Sequence, residues 1–128
     1  MGYVVDATVS LTTSSTEGAT AYTSPLMGEV VNVQYVPDAT APFATTVDFA
    51  VTLERSGIGL WTESNLDAAK VVSPMQSAHS QVGVGLVFSS LAPLSVVPRP
   101  IYAAHERVKV VIAGGGAAKS GTFRVRVA

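Results

Sequence analysis

Apolar and polar residues alternate with a period of two along much of this chain. From Tyr3 to Thr12, Val5, Ala7, Val9 and Leu11 fall on one side, and Asp6, Thr8, Ser10 and Thr12 on the other. That alternation predicts a half-buried strand of an antiparallel sheet. Thr13 to Gly18 is a polar turn, and Ala19 to Thr23 predicts a short second strand closed by Ser24, Pro25 and Gly28. Glu29 to Val36 predicts a third strand. Val31, Val33 and Tyr35 share one face there, and Val30, Asn32, Gln34 and Val36 share the other. Pro37 to Ala44 carries two prolines and an Asp and reads as a loop. Thr45 to Leu53 predicts a fourth strand with Val47, Phe49, Val51 and Leu53 inward, and Ile58 to Thr62 a fifth, with the only tryptophan, Trp61.

The alternation then fades. Ser64 to Lys70 predicts one helical turn, with Ser64 or Asn65 as N-cap. Val71 to Pro100 is apolar, uncharged before Arg99 and interrupted by Pro74, Pro93, Pro98 and Pro100. Two readings stay open for it: a poorly patterned strand pair inside the domain, or an arm that lies on a partner. Gln81 to Phe88 is compatible with a short strand there, and Ile101 to Ala103 with another.

Alternation returns at the C-terminus. Arg107 to Ala113 places Val108, Val110 and Ile112 opposite Arg107, Lys109 and Val111, and Thr122 to Val127 places Phe123, Val125 and Val127 opposite Thr122, Arg124 and Arg126. Gly114, Gly115, Gly116 and Gly121 lie between the two as candidate positive-φ positions. The pattern predicts a C-terminal β-hairpin with Phe123, Val125, Val108 and Val110 buried together. Seven to nine short strands with turn signals predict one all-β domain over residues 1–128, an antiparallel β-sandwich or a barrel.

Composition narrows the function classes. Only 13% of residues are charged, against about 25% in ordinary domains, while 48% are hydrophobic. A domain this small exposes much of its surface, so such a composition points to apolar surface that meets another protein. The formal net charge of −1 offers no field for nucleic acid or an anionic membrane. No run of apolar residues is long enough for a membrane span, and MGYVVDATVSLTT lacks the layout of a signal peptide. The chain has no cysteine, hence neither a disulfide framework nor a thiolate metal site.

Motifs for chemistry are sparse. Gly116 to Ser120 (GAAKS) has Ala118 where a phosphate loop needs glycine before its lysine, and a strand follows instead of a helix. Gly83 and Gly85 lack the third glycine of a dinucleotide fingerprint. His79 and His105 stand apart, without the spacing of a metal site. No Gly-x-Ser-x-Gly elbow occurs, and Asp48 and Glu54 do not form a carboxylate pair. No cofactor is expected. Arg107, Lys109, Arg124 and Arg126 form a candidate basic stripe on the outer face of the terminal hairpin, suited to an acidic protein partner. Trp61, Tyr22, Tyr35 and Tyr102 offer either core anchors or a sugar-binding platform.

GEVVNVQYVP (28–37), TVDFAVTL (46–53), Ile58 to Trp61 and, above all, RVKVVIAGGGAAKSGTFRVRV (107–127) give the chain a family likeness. In these stretches it resembles small β-sandwich structural proteins of tailed bacteriophages. The resemblance covers about two thirds of the chain and is weakest in Val71 to Pro100. It implies a jelly-roll-like sandwich without catalysis, acting as a capsid decoration (cement) protein. The implied partners are the major capsid protein and further copies of the chain itself, a dimer being the simplest arrangement. The implied location is the outer surface of the capsid, after synthesis in the host bacterial cytoplasm. Val84, Leu86 and Leu94 join the four basic residues as candidate interface positions. A head–tail adaptor or tail protein, a carbohydrate-binding module and an uncharacterised enzyme are the rival classes.

Overall fold

In most of the alternating stretches the apolar set has turned inward. In the computed structural model, which describes residues 4–66, 68–77 and 98–128, the buried residues form one hydrophobic cluster between two antiparallel sheets. The described strands are β1 (Val5–Thr12), β2 (Ala19–Tyr22), β3 (Leu26–Pro37), β4 (Asp48–Leu53), β5 (Gly59–Ser64), β6 (Lys70–Val72), β7 (Met75–Ser77), β8 (Pro98–Pro100), β9 (Tyr102–Glu106), β10 (Val108–Ala113) and β11 (Ser120–Val127).

One sheet has the order β1-β11-β3-β6, with β9 pairing β3 beyond the end of β6. The other has the order β2-β10-β4-β5, and β7 and β8 form a separate two-stranded ribbon. The pairs β1·β11, β2·β10, β3·β6 and β4·β5 are the rungs of one long antiparallel ladder. That ladder is rolled up so that β11 also pairs β3 and β10 also pairs β4. This double Greek-key winding is a jelly roll. It leaves no edge between β1 and β3 or between β2 and β4.

Five rings fill the middle. Tyr35 stacks on Phe43 at 6.0 Å between centroids and touches Phe49 at 5.7 Å and Phe123 at 5.1 Å. Phe49 meets Trp61 edge-on at 4.7 Å and Phe123 at 5.1 Å. Tilted and edge-to-face pairs of this kind add to the gain from burial alone. Val47, Phe49, Val51 and Leu53 are all inward, as their alternation predicts, and so are Val108, Val110, Phe123 and Val125.

Four expectations need correction. First, β10 and β11 are both present but are not a hairpin. They lie in opposite sheets, and residues 114–119 arch over the end of the sandwich. The winding requires this, because β11 is claimed on both sides by β1 and β3, and β10 by β2 and β4. Thr13 holds the arch: its hydroxyl donates to the Gly116 carbonyl, and the Lys119 amide donates to that hydroxyl at 2.9 Å. Second, Gly114 and Gly116 do take positive φ, but Gly115 and Gly121 do not. Gly121 is needed for space, since a Cβ there would lie 2.6 Å from Cε2 of Phe43 and 2.9 Å from Cε1 of Tyr35.

Third, the described part of Ser64 to Lys70 is not helical. Ser64 ends β5, Asn65 turns the chain with φ 59°, and Lys70 starts β6. Fourth, Val31 does not share a face with Val33 and Tyr35. Arg126 pairs with Asn32 but Val127 with Val30, so Val31 is the extra residue of a β-bulge. Val30 takes the inward position and Val31 is exposed. Within Val71 to Pro100, residues 71–77 and 98–100 supply the end of β6, the ribbon strand β7 and its partner β8, and residues 78–97 lie outside the described part.

Candidate functional site

The rolled topology splits the expected basic stripe. β11 sends Arg124 and Arg126 to the outer face of the first sheet, and β10 sends Lys109 to the outer face of the second. Arg107 stands just before β10, at the end of that second face. The four charges are thus two pairs on opposite sides of the molecule, and no single basic stripe exists.

On the first face, Arg124 lies in a row with Thr8, Gln34 and Val71, and Arg126 in a row with Asp6 and Asn32. The Nε of Arg126 sits 3.3 Å from a carboxylate oxygen of Asp6. Hydroxyls pair across strands here, Ser10 with Thr122 at 3.2 Å and Thr12 with Ser120 at 3.0 Å. On the second face, Lys109 lies between Tyr22 and Thr52. Arg107 grips Glu54 with two N–H donors, and its guanidinium carbon lies 4.1 Å from the centroid of the Tyr22 ring. The hydrogen bonds from Arg107 hold the Glu54 carboxyl below its ordinary pKa, and the same contact raises that of Arg107. Arg107 is therefore committed within its own chain.

Two carboxylates that periodicity does not reveal are structural centres. Glu106 is buried, and one oxygen accepts from the amides of Arg55 and Ser56 at 2.8 and 2.9 Å, and from the Ser56 hydroxyl at 3.3 Å. It pins the β4–β5 turn to the corner between β9 and β10. Glu63, on β5, accepts from the Trp61 indole at 3.0 Å and from Lys70, on β6, at 2.9 Å. It ties an edge of one sheet to an edge of the other. The bond from Lys70 and then that from Trp61 lower its pKa. A Trp followed two residues later by Glu was the only trace of this in the sequence.

A recess of about 200 Å³ is lined by Pro25, Glu54, Arg55, His105, Glu106 and Arg107. Its charged groups are largely spent on each other: Arg107 on Glu54, and the Glu106 carboxylate on the turn. His105 is exposed, with φ 55°. A second groove, about 180 Å³, runs over Ala50, Val111 and Ala113 on the outer face of the second sheet, rimmed by Asp48, Thr62 and Ser64. Among the described residues, no three His, Asp or Glu side chains gather as metal ligands, and no helix is long and apolar enough to cross a membrane.

The aromatic platform also dissolves. Tyr35 and Trp61 are core residues, whereas Tyr22 and Tyr102 are exposed on different sheets. Val84, Leu86, Leu94 and His79 lie outside the described residues. A different surface emerges. Met27 and Val31 on β3, Val71 on β6, Met75 on β7 and Tyr102 on β9 are all exposed, Met27 by 72%. Met27, Val31, Val71 and Tyr102 come from β3 and the two strands that pair with it in the first sheet, and Met75 from the separate β7–β8 ribbon.

No protein-family model matches the chain, and no curated protein matches it. Among solved structures it is similar to the crystal structure of FLHE, with a TM-score of 0.44, 11% identity and 98% of each chain covered. At that level the likeness carries no argument about function.

Proposed function

We propose that this protein is a structural component of a tailed-bacteriophage virion, a decoration protein that binds the outside of the capsid shell and ties neighbouring shell subunits together. One observation carries the reading: the exposed apolar side chains Met27, Val31, Val71 and Tyr102, all on β3 and the strands β6 and β9 that pair with it. Side chains of that size exposed together mark a surface that another protein covers. The phage-like sequence of residues 28–37, 46–53 and 107–127 supplies the partner class, a major capsid protein. A ligand that binds the assembled shell and not the free subunit stabilises the assembly by mass action. Many symmetric copies multiply a modest contact.

The experiment is to prepare particles without the protein, heat them and add it back. Genome release begins at a lower temperature without it and recovers on re-addition. Unchanged heat resistance, with the protein confined to a single vertex, would favour a neck or tail component closed into a ring by symmetry. Specific binding on a glycan array, without binding to particles, would favour the carbohydrate reading.

A further inference from the structure

Each sheet of a sandwich ends in strands whose outer backbone groups lack a partner strand, and natural proteins blunt such edges. Three of this protein's edges are blunted. β2 has four residues. β5 is bulged opposite Val51 and Thr52 and carries Glu63 on its inward side. The edge beyond β3 is divided between β6, three residues long with Lys70 at its start, and β9, five residues long and turned by His105 at positive φ. β1 is different. It has eight residues, VDATVSLT, paired without a bulge to β11, and contains no Pro, Gly, Lys or Arg. Among the described strands none pairs with its other edge.

We infer that β1 is a self-association edge, pairing antiparallel with β1 of a second copy about a two-fold axis and running the first sheet through both molecules. The occupant is argued from β1's own side chains. A two-fold axis at Thr8 uses the whole strand and places residues i and 16 − i opposite each other, which keeps every residue on its proper face. Asp6 then faces the Ser10 hydroxyl of the second copy, and no like charges meet. Val5 lies on the inward-facing side of β1, with Ala7, Val9 and Leu11, yet it is 47% exposed while Leu11 is 3% exposed. In this register Val5 lies opposite Leu11 of the second copy, and Val4, 54% exposed, opposite Thr12. The two large exposed apolar residues where β1 begins, Val4 and Val5, thus come to lie beside the strand of the second copy and no longer at an open edge. This rests on β1 alone and stands whether or not the protein belongs to a capsid.

Thr8 is exposed, so the test leaves the core alone. By sedimentation the wild type is a dimer in the micromolar range, whereas T8K and T8E are each monomers with unaltered Trp61 fluorescence. An equimolar mixture of the two sediments as a mixed dimer, because the new charges now attract across the axis. As a second probe, T8C, in a chain without other cysteines, forms a disulfide-linked dimer on mild oxidation, and T62C, on the other sheet, does not. A monomeric wild type would overturn the inference. So would a T8K–T8E mixture that stays monomeric, or equal cross-linking of T8C and T62C.

Discussion

Phe123 touches Tyr35, Phe49 and Trp61, rings contributed by three strands of both sheets. It is fully buried, so Phe123→Ala removes the ring and leaves a cavity that rigid neighbours on both sheets can only partly fill. The expected loss is about 3–5 kcal/mol in denaturant titration; a loss below about 1 kcal/mol would mean that the ring is not a keystone of the core. This residue was legible in the sequence, because alternation assigns faces and faces decide burial. Glu63 was not, because its two donors, Trp61 and Lys70, meet only when β5 and β6 come to the same side of the sandwich. Its lowered pKa has a sign that can be tested. A carboxyl whose folded pKa is depressed contributes stability above its unfolded pKa, about 4.3, and loses that contribution as pH falls through the folded value. The pair is partly exposed, so the contribution is at most about 1 kcal/mol. Wild type and Glu63→Gln should therefore differ in urea midpoint at neutral pH and converge in acid. Asp38 and Glu54, also depressed, titrate in both proteins and cancel from the comparison. A difference that persists unchanged into acid would show that Glu63 acts through packing and not through its charge.

At the scale of the element, strands were more legible than their partners. The inward sets of β1, β4, β10 and β11 follow directly from period two. Pairing does not, since a glycine-rich segment between two alternating runs reads equally as a hairpin turn or as an arch from one sheet to the other. Residues 114–119 are the arch, and what decides it is the demand of β1 and β3 for β11, more than 80 residues away in the chain for β3. The bulge at Val31 was illegible for the same reason, as it exists only in the register with Arg126 and Val127. The basic stripe failed with the hairpin, because its four residues shared a face only if β10 and β11 were paired. Glu106 shows how such non-local elements are fastened. Replacing it with Ala strips the acceptor from the amides of Arg55 and Ser56. Losing hydrogen bonds to a charged acceptor costs about 1.5–3 kcal/mol, less where water can replace it at this exposed turn. In Glu106→Ala the amides of Arg55 and Ser56 should exchange with solvent much faster, while those of Val110 and Val125 keep their protection relative to global stability. Unchanged exchange at Arg55 and Ser56 would show that the Glu54–Gly57 turn holds itself.

For the whole molecule, the rolled ladder makes the first and last strands interdependent. β1 and β11 are adjacent over their full length, from Val5↔Val127 to Thr12↔Ser120, although they stand at opposite ends of the sequence. Loop closure on that scale must be met before the contacts it allows are gained, so folding should be slow for the chain's size, on the order of milliseconds to seconds. β11 is also the central strand of its sheet. Removing residues 120–128 takes away Phe123, Val125 and Val127, all buried, and separates β1 from β3. It also removes Ala128, whose backbone exchanges two hydrogen bonds of 2.9 Å with Glu29. What remains of the first sheet is β3 with two short flanking strands, too little to cover the second sheet. The chain ending at Lys119 should therefore show no cooperative unfolding, neither in Trp61 fluorescence nor in near-ultraviolet circular dichroism. By contrast, capping the edge with Thr8→Lys should leave a cooperative transition within about 1 kcal/mol of the wild-type monomer, because the position is exposed and the only new cost is the like charge of Arg124 opposite it. A cooperative transition in the truncated chain would show that the second sheet and β3 suffice for the core, and that β11 is a late addition and not the strand on which the jelly roll closes.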